Sequence, residues 1–401
     1  GAGKSFTSRQ AVKRDLTIIL KAAVKTSIPC IIGSAGGSGA RPHIDWTEEI
    51  LREIAAEESL AFRMALIYAD IAKDTVLDAL HGGRVRPLTP APEISADDVN
   101  GSVRIVAQMG AEPVIRALME DCQVVLCGRC YDPLPFAAPA LMKGFHPGLA
   151  LHMGKILECA AIAASPGSGR DCVMGFLYDN YFELEALSDE RSFTCISTAA
   201  HTMYEKSDPY NLPGPGGSLD LTSTIFESLE GGRVRVSGTR FNPVFPYTVK
   251  LEGVRSAGFR TISIGGVRDP ILIGTIDSVL DEIRKQVMED VGGAKILFHL
   301  YGKDGVMGMR EPEKNHASHE LGIVIEVIAD NQELADAVCA NVRSLLLHYG
   351  YRGRIATAGN LAFPYSPSDI PCGEVFEFNI YHLMAVEDPL SLFPMRVCEV
   401  S

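Results

Sequence analysis

Three predominantly apolar runs constrain the fold more than any other feature of this chain. They are Ile28-Pro29-Cys30-Ile31-Ile32, residues 62–69, and Gln123-Val124-Val125-Leu126-Cys127, and each stops at a polar or glycine-rich turn. Helical spacing of apolar residues fills the intervals, at 12–25, 47–58 (N-capped by Asp45 or Thr47), 73–80, 97–109 or 100–109, and 114–120. A strand with no polar alternation is buried on both faces, which is the signature of a parallel sheet covered by helices. The expectation is an α/β domain over 1–165 with a parallel Rossmann-like sheet, closing with a helix at 150–164 and the turn Ser165-Pro166-Gly167-Ser168-Gly169.

The texture then changes. Short strand patterns at 173–177, 181–187, 233–237, 248–252 and 260–264, with Gly and Pro turns, predict a β-rich middle segment over 166–292 that ends in a helix at 270–290. Strands at 295–301, 321–329 and 374–381 around a helix at 332–349 predict a C-terminal α+β domain of ferredoxin-like character over 293–401. At 401 residues the chain has room for this many domains.

Charge narrows the partners. Lys and Arg number 37 against 50 Asp and Glu, a net charge of −13, so the cationic footprint of a nucleic-acid or anionic-membrane binder is missing. No apolar run reaches the roughly 18 residues a membrane span requires, and no secretory signal pattern opens the chain. Ten scattered cysteines, most beside apolar neighbours, read as reduced thiols of a soluble cytoplasmic protein.

Candidate chemistry gathers where the parallel strands should end. After the first run comes Gly33-Ser34-Ala35-Gly36-Gly37-Ser38-Gly39, whose glycines permit positive φ and inward-facing N–H groups; Ser34, Gly36, Gly37 and Gly39 are candidate ligand contacts for a carboxylate or phosphate. The spacing departs from the dinucleotide fingerprint, because its third glycine would fall at Pro42. Were the next segment extended, His43 and Asp45 would face one side as an acid/base pair. Asp70 and the turn Gly128-Arg129-Cys130-Tyr131-Asp132-Pro133 lie at the ends of the other two strands, with Arg129 suited to clamp a carboxylate and Asp132 a second contact.

Further along, His152, Lys155 and Cys159 share a helix face, a stripe suited to supply a base, a cation and a thiol, with Glu158 three residues after Lys155. His201, in a His/Tyr/Lys group before Pro213-Gly214-Pro215-Gly216-Gly217, is expected at a pocket edge. His316-Ala317-Ser318-His319-Glu320 has neither zincin order and is read as a loop, so no metal ligands are assigned. Gly3-Lys4-Ser5 has the ending of a phosphate-binding loop and opens an alternative, a nucleotide-dependent enzyme.

Taken together, Ile32-Gly33-Ser34-Ala35-Gly36-Gly37 with His43-Ile44-Asp45-Trp46-Thr47, the Gly128 to Pro133 turn, and Leu151-His152-Met153-Gly154-Lys155-Ile156-Leu157-Glu158-Cys159 resemble the acyclic terpene utilisation (AtuA-like) family. Leu347-His348-Tyr349-Gly350, Gly359-Asn360-Leu361-Ala362-Phe363-Pro364 and Glu387-Asp388-Pro389-Leu390 extend the resemblance over nearly the whole chain. Cys130 departs from the family's usual alanine at that place in the turn. The resemblance implies an enzyme of branched carboxylic acid or acyl-CoA metabolism, and a first sheet strand upstream of Gly1.

Joined to the candidate residues, this points to a hydro-lyase or isomerase. Its substrate is a small carboxylate or CoA thioester, handled by His43, Asp45, His152, Lys155 and Glu158 with an unknown cofactor. A homo-oligomer is expected. The alternative from another class is an accessory subunit that binds an acidic metabolite beside a partner chain.

Overall fold

The computed structural model describes residues 1–313, 316, 318–355 and 357–401. Its contacts divide the chain into two compact units, one made of Gly1–Ala2 and Arg255–Glu377, the other of Gly3–Val254 and Phe378–Ser401. The division differs from the expected three segments because two long strands, Thr248–Val267 and Asp369–Ala385, carry the chain from one unit to the other.

In the larger unit the three apolar runs form one sheet. Strand Cys30–Ile32 pairs in parallel with Val124–Cys127, which pairs in parallel with Phe62–Ile67. Alternate residues explain why the runs are apolar throughout. Met64, Leu66, Val124 and Leu126 join the core beneath helices Arg9–Thr26 and Arg41–Glu58, whereas Ala65, Ile67, Val125 and Cys127 join the opposite core with Val76 and Val114. A fourth strand, Met395–Val400, is antiparallel to Phe62–Ile67, so the sheet is mixed.

Two local expectations are corrected. The helical pattern expected up to Met109 ends with helix Ala96–Gly101, and Arg104–Ala107 is a strand, held by antiparallel pairing with residues Leu251 to Val254. The two strands expected at 248–252 and 260–264 are one continuous strand. The rest of the middle segment is antiparallel, with a sheet of Val173–Leu177, Tyr181–Ala186, Arg233–Ser237 and Ile225–Leu229, and a smaller sheet of Asn211–Gly214, Gly217–Asp220 and Arg240–Pro243.

The smaller unit runs strand, helix, strand, strand, helix, strand. Helices Pro270–Asp290 and Gln332–His348 alternate with strands Ala294–Tyr301 and Leu321–Ala329 between the two long strands, which is the element order of a split βαβ layer. Leu272, Ile276, Val279, Leu280, Ile283 and Val287 form a helical stripe that packs on Ile323, Ile325 and Val327 of the sheet. This α+β region therefore begins at Arg255, earlier than the expected residue 293.

Candidate functional site

The glycine loop and the Arg129 turn are folded into one another. Ser34 has φ 45°, Gly36 62°, Gly37 104° and Gly39 66°. At Gly39 a Cβ would stand 2.1 Å from the Arg129 backbone nitrogen, so only glycine admits this approach. Three of the loop's amides are engaged within the chain. Ala35 N donates to the Cys127 carbonyl at 3.0 Å, Gly37 N to that of Ser34 and Gly39 N to that of Ala35, each at 2.9 Å.

Arg129 is held by the protein's own acceptors. Its Nε donates to Glu252 Oε2 at 2.6 Å, and its Nη1 to Ser34 Oγ at 3.0 Å, to Asp132 Oδ1 at 3.0 Å and to the Cys130 carbonyl at 3.1 Å. Lys250 Nζ reaches the other oxygen of Glu252 at 2.7 Å. The expected substrate clamp is a structural node that ties Ser34 and Asp132 to the strand bearing Glu252. Sequence reasoning did not offer Glu252, which lies far from Arg129 in the chain.

His43 and Asp45 do not form a pair. Pro42, free of any donor to satisfy, lets the helix start at Arg41, and within a helix residues two apart diverge by roughly 200°. His43 is accordingly buried, with Nδ1 2.7 Å from Ser38 Oγ, and Asp45 is exposed. Burial lowers the His43 pKa. Asp45 is not the helix cap either. Ala40 occupies that position without a side-chain bond, and Asp70 reaches in from the end of its strand to accept from Arg41 N at 2.8 Å. Burial raises the Asp70 pKa, while the Arg41 amide and Arg104 pull it back. Asp70 is therefore the anion at the helix N-terminus.

His152 is bonded at both ring nitrogens. It is 0% exposed, with Nδ1 2.7 Å from Thr239 Oγ1 and Nε2 2.9 Å from Thr202 Oγ1. Its ring stands edge-on to Phe182, and burial pushes its pKa down to about 3. Both nitrogens are occupied, so this histidine joins its helix to the β-rich segment.

The other members of that helix do meet at a cavity. A cleft of about 400 Å³ is lined by Ile31, Gly33, Cys130, Asp132, Pro135, Phe136, Glu158, Cys159, Tyr204 and Glu205, a size suited to a small molecule. Lys155, buried, donates to Glu158 Oε1, and its ammonium lies 5.5 Å from the centroid of the Tyr204 ring. Burial raises the Glu158 pKa against the opposing pull of Lys155. Burial also raises the Cys159 thiol, with Glu158 adding to the effect, so Cys159 is kept as the thiol. His201 is buried and stacked on Tyr204 at 5.4 Å, its pKa lowered by burial and by Lys155.

The structure thus brings together Asp132, Lys155, Glu158 and His201, and adds Tyr131, Tyr204, Glu205 and Lys206. The last three belong to the His/Tyr/Lys group singled out in the sequence, in which only His201 was chosen.

Two motifs remain. Gly3-Lys4-Ser5 stands clear of a helix N-terminus, because the following helix begins at Arg9 and is capped by Ser8, which accepts from Ala11 N at 3.2 Å; in a phosphate loop those residues open the helix. In the His316 to Glu320 stretch, Ala317 lies outside the described residues, and among the described residues no three His, Cys, Asp or Glu side chains are grouped to hold a metal. No helix among them is long and apolar enough to cross a membrane.

No curated protein and no solved structure matches the chain. The family profile described as acyclic terpene utilisation family protein AtuA matches residues 7–167 and 192–365. Those two stretches hold the glycine loop, the Arg129 turn, the Lys155 helix and the 201–206 group, and cover most of the sequence. The chain belongs to the AtuA family of acyclic terpene utilisation.

Proposed function

We propose that the chain is an enzyme of branched carboxylic acid or acyl-CoA metabolism, a hydro-lyase or isomerase in which Glu158 moves the proton. The observation that carries this reading is the Lys155–Glu158 pair at the wall of the cleft. A carboxyl group whose pKa is raised by burial stands closer to the neutral range, where it both accepts and returns a proton. Lys155 keeps the anionic form of Glu158 accessible and places a positive charge beside the cleft, where negative charge develops when a proton leaves the carbon next to a carboxyl group. The family's name points to acyclic terpenes, whose breakdown products are branched acids of a size the cleft admits.

In this reading Glu158 abstracts the proton adjacent to the substrate's carboxyl carbon. The resulting electron pair either expels a hydroxyl group on the next carbon or shifts a double bond, and the same carboxyl returns the proton. His43, Asp45 and His152 take no part.

The test is turnover of the full chain on a panel of branched 3-hydroxy acids, their unsaturated counterparts and the CoA thioesters of both. Wild type interconverts a hydroxylated and an unsaturated member, or two unsaturated isomers, and Glu158→Gln, assayed well below its own melting midpoint, loses about 100-fold or more in kcat. Full activity in Glu158→Gln overturns the assignment.

A further inference from the structure

Beside the cleft, the cations are not all matched. Lys155 is answered by Glu158, Arg129 by Glu252 and Asp132, and Lys250 by Glu252. Lys206 is half-buried, and its ammonium makes no hydrogen bond or ion pair among the described residues. Its ammonium lies 5.7 Å from the centroid of the Tyr131 ring. The Tyr131 hydroxyl is itself buried and has no hydrogen-bond partner. Cys130 and Asp132, on either side of Tyr131, and Glu205, which precedes Lys206, line the cleft.

A buried hydroxyl without a partner and an unanswered ammonium are each costly, and one ligand group relieves both. That group has to accept hydrogen bonds and carry negative charge. A carboxylate does so with two oxygens, one for the ammonium and one for the phenol. A thioester carbonyl brings no charge to Lys206, and its nucleotide tail exceeds a cleft of about 400 Å³. In the glycine loop, the natural cradle for a phosphate, the amides of Ala35, Gly37 and Gly39 are engaged by carbonyls of the chain itself. Burial lowers the Lys206 pKa, and Lys155 and Lys250 lower it further against the opposing pull of Glu158 and Glu205.

Resting on the reading that the cleft takes a small acid, we propose that Lys206 and Tyr131 form its carboxylate-recognising subsite, so that the substrate enters as a free carboxylic acid and not as its CoA thioester. Lys206 and Tyr131 are specificity residues here, and the proton-moving group remains Glu158.

Isothermal titration of the full chain decides the point, with 3-methylglutarate and a ten-carbon acyclic terpene acid as probes, each beside its methyl ester and its CoA thioester. Wild type binds at least one free acid about tenfold more tightly than its ester or thioester. Lys206→Met erases that preference, Lys206→Arg restores it, and Tyr131→Phe weakens the acid by about threefold. Unchanged melting midpoints in the Lys206 variants show that the fold persists. The proposal is overturned if acid and ester bind alike, if Lys206→Met keeps the preference, or if no free acid binds. Failure of the two readings is distinguishable. Turnover that survives in Glu158→Gln removes the acid/base role and leaves the acid preference standing, whereas turnover of a thioester without affinity for the acid removes the subsite and leaves Glu158 in place.

Discussion

The smaller unit has a cavity of about 460 Å³ and the larger unit one of about 400 Å³, and their polar groups are used in opposite ways. In the smaller unit, Arg354 gives Nη1 to the carbonyls of His348 and Tyr349 at 3.1 Å and Nη2 to that of Ala358 at 2.6 Å. Asn360 Nδ2 donates to the carbonyls of Leu346 and Tyr349 at 2.9 Å, and Arg268 to that of His319 at 2.7 Å. Asp269 accepts from Ile271 N and Leu272 N, closing the start of helix Pro270–Asp290. Every one of these groups completes a helix end or a loop. In the larger unit, Lys206 and Tyr131 are left without such duties. Volume alone separates the two cavities poorly; the use of their donors and acceptors separates them well.

The contrast can be broken at several points. The largest effect is expected at the scaffold beneath the charged cleft, where Gly39→Ala forces a Cβ against the Arg129 backbone at positive φ. We expect a loss of about 4 kcal/mol in stability, read as a drop in the urea midpoint. A loss below about 1 kcal/mol would show that the loop yields, and that its glycines serve something other than packing. Next, Glu158→Gln keeps a hydrogen-bond acceptor for Lys155 but removes the titrating group and the counter-charge of a buried ammonium, so its roughly 100-fold kinetic loss, about 2.7 kcal/mol in activation free energy, should come with a lowered melting midpoint and is read well below that midpoint.

Arg354→Ala should do the reverse. Three carbonyls lose their donor, so stability falls by about 2 kcal/mol in a denaturant titration while turnover stays as in wild type. A kinetic defect larger than the stability defect would mean that the second cavity has a role of its own, and the contrast would fail.

The smallest effect is in pH dependence. Burial holds the His152 pKa near 3 in the fold against an ordinary 6.5, so between those values the unfolded chain takes up a proton that the fold refuses. The stability this histidine contributes is present above pH 6.5 and is lost as pH falls through that window. Melting midpoints at pH 7 and pH 5 should therefore differ less in His152→Asn than in wild type. An equal or steeper fall in the variant would show that other groups set the acid response, with His43 and His201, both lowered by burial, the first to examine.

Local pattern was sufficient for the parts of the fold built from local or buried apolar order. The runs around Ile31, Met64 and Val125 announced the parallel sheet, and the stripe from Leu272 to Val287 announced its helix, because burial on two faces or on one stripe is written directly into the residue order. What escaped was set by partners distant in the chain. Arg104–Ala107 reads as the continuation of a helix until Leu251 to Val254 pairs with it. His43 and Asp45 read as a same-side pair until Pro42 starts a helix that turns them apart.

In the site, the Lys155 and Glu158 spacing was legible because three residues is a helical contact distance. The Arg129 bond to Glu252 was not, because 123 residues separate them. Arg129 chemistry is equally apt for a substrate carboxylate and for a protein one, and only the fold decides which is present.

Strand Met395–Val400 seals the sheet by lying along Phe62–Ile67, so the larger unit begins near residue 3 and is completed near residue 400. On the ribosome this means a long wait. At ordinary elongation rates the Phe62–Ile67 edge is made on the order of tens of seconds before its neighbour emerges, and during that interval its backbone donors and acceptors face whatever else is nearby. The unit that carries the cleft thus waits through the synthesis of the other before its own sheet is complete, and its yield in the cell should depend on what shelters that edge in the interval.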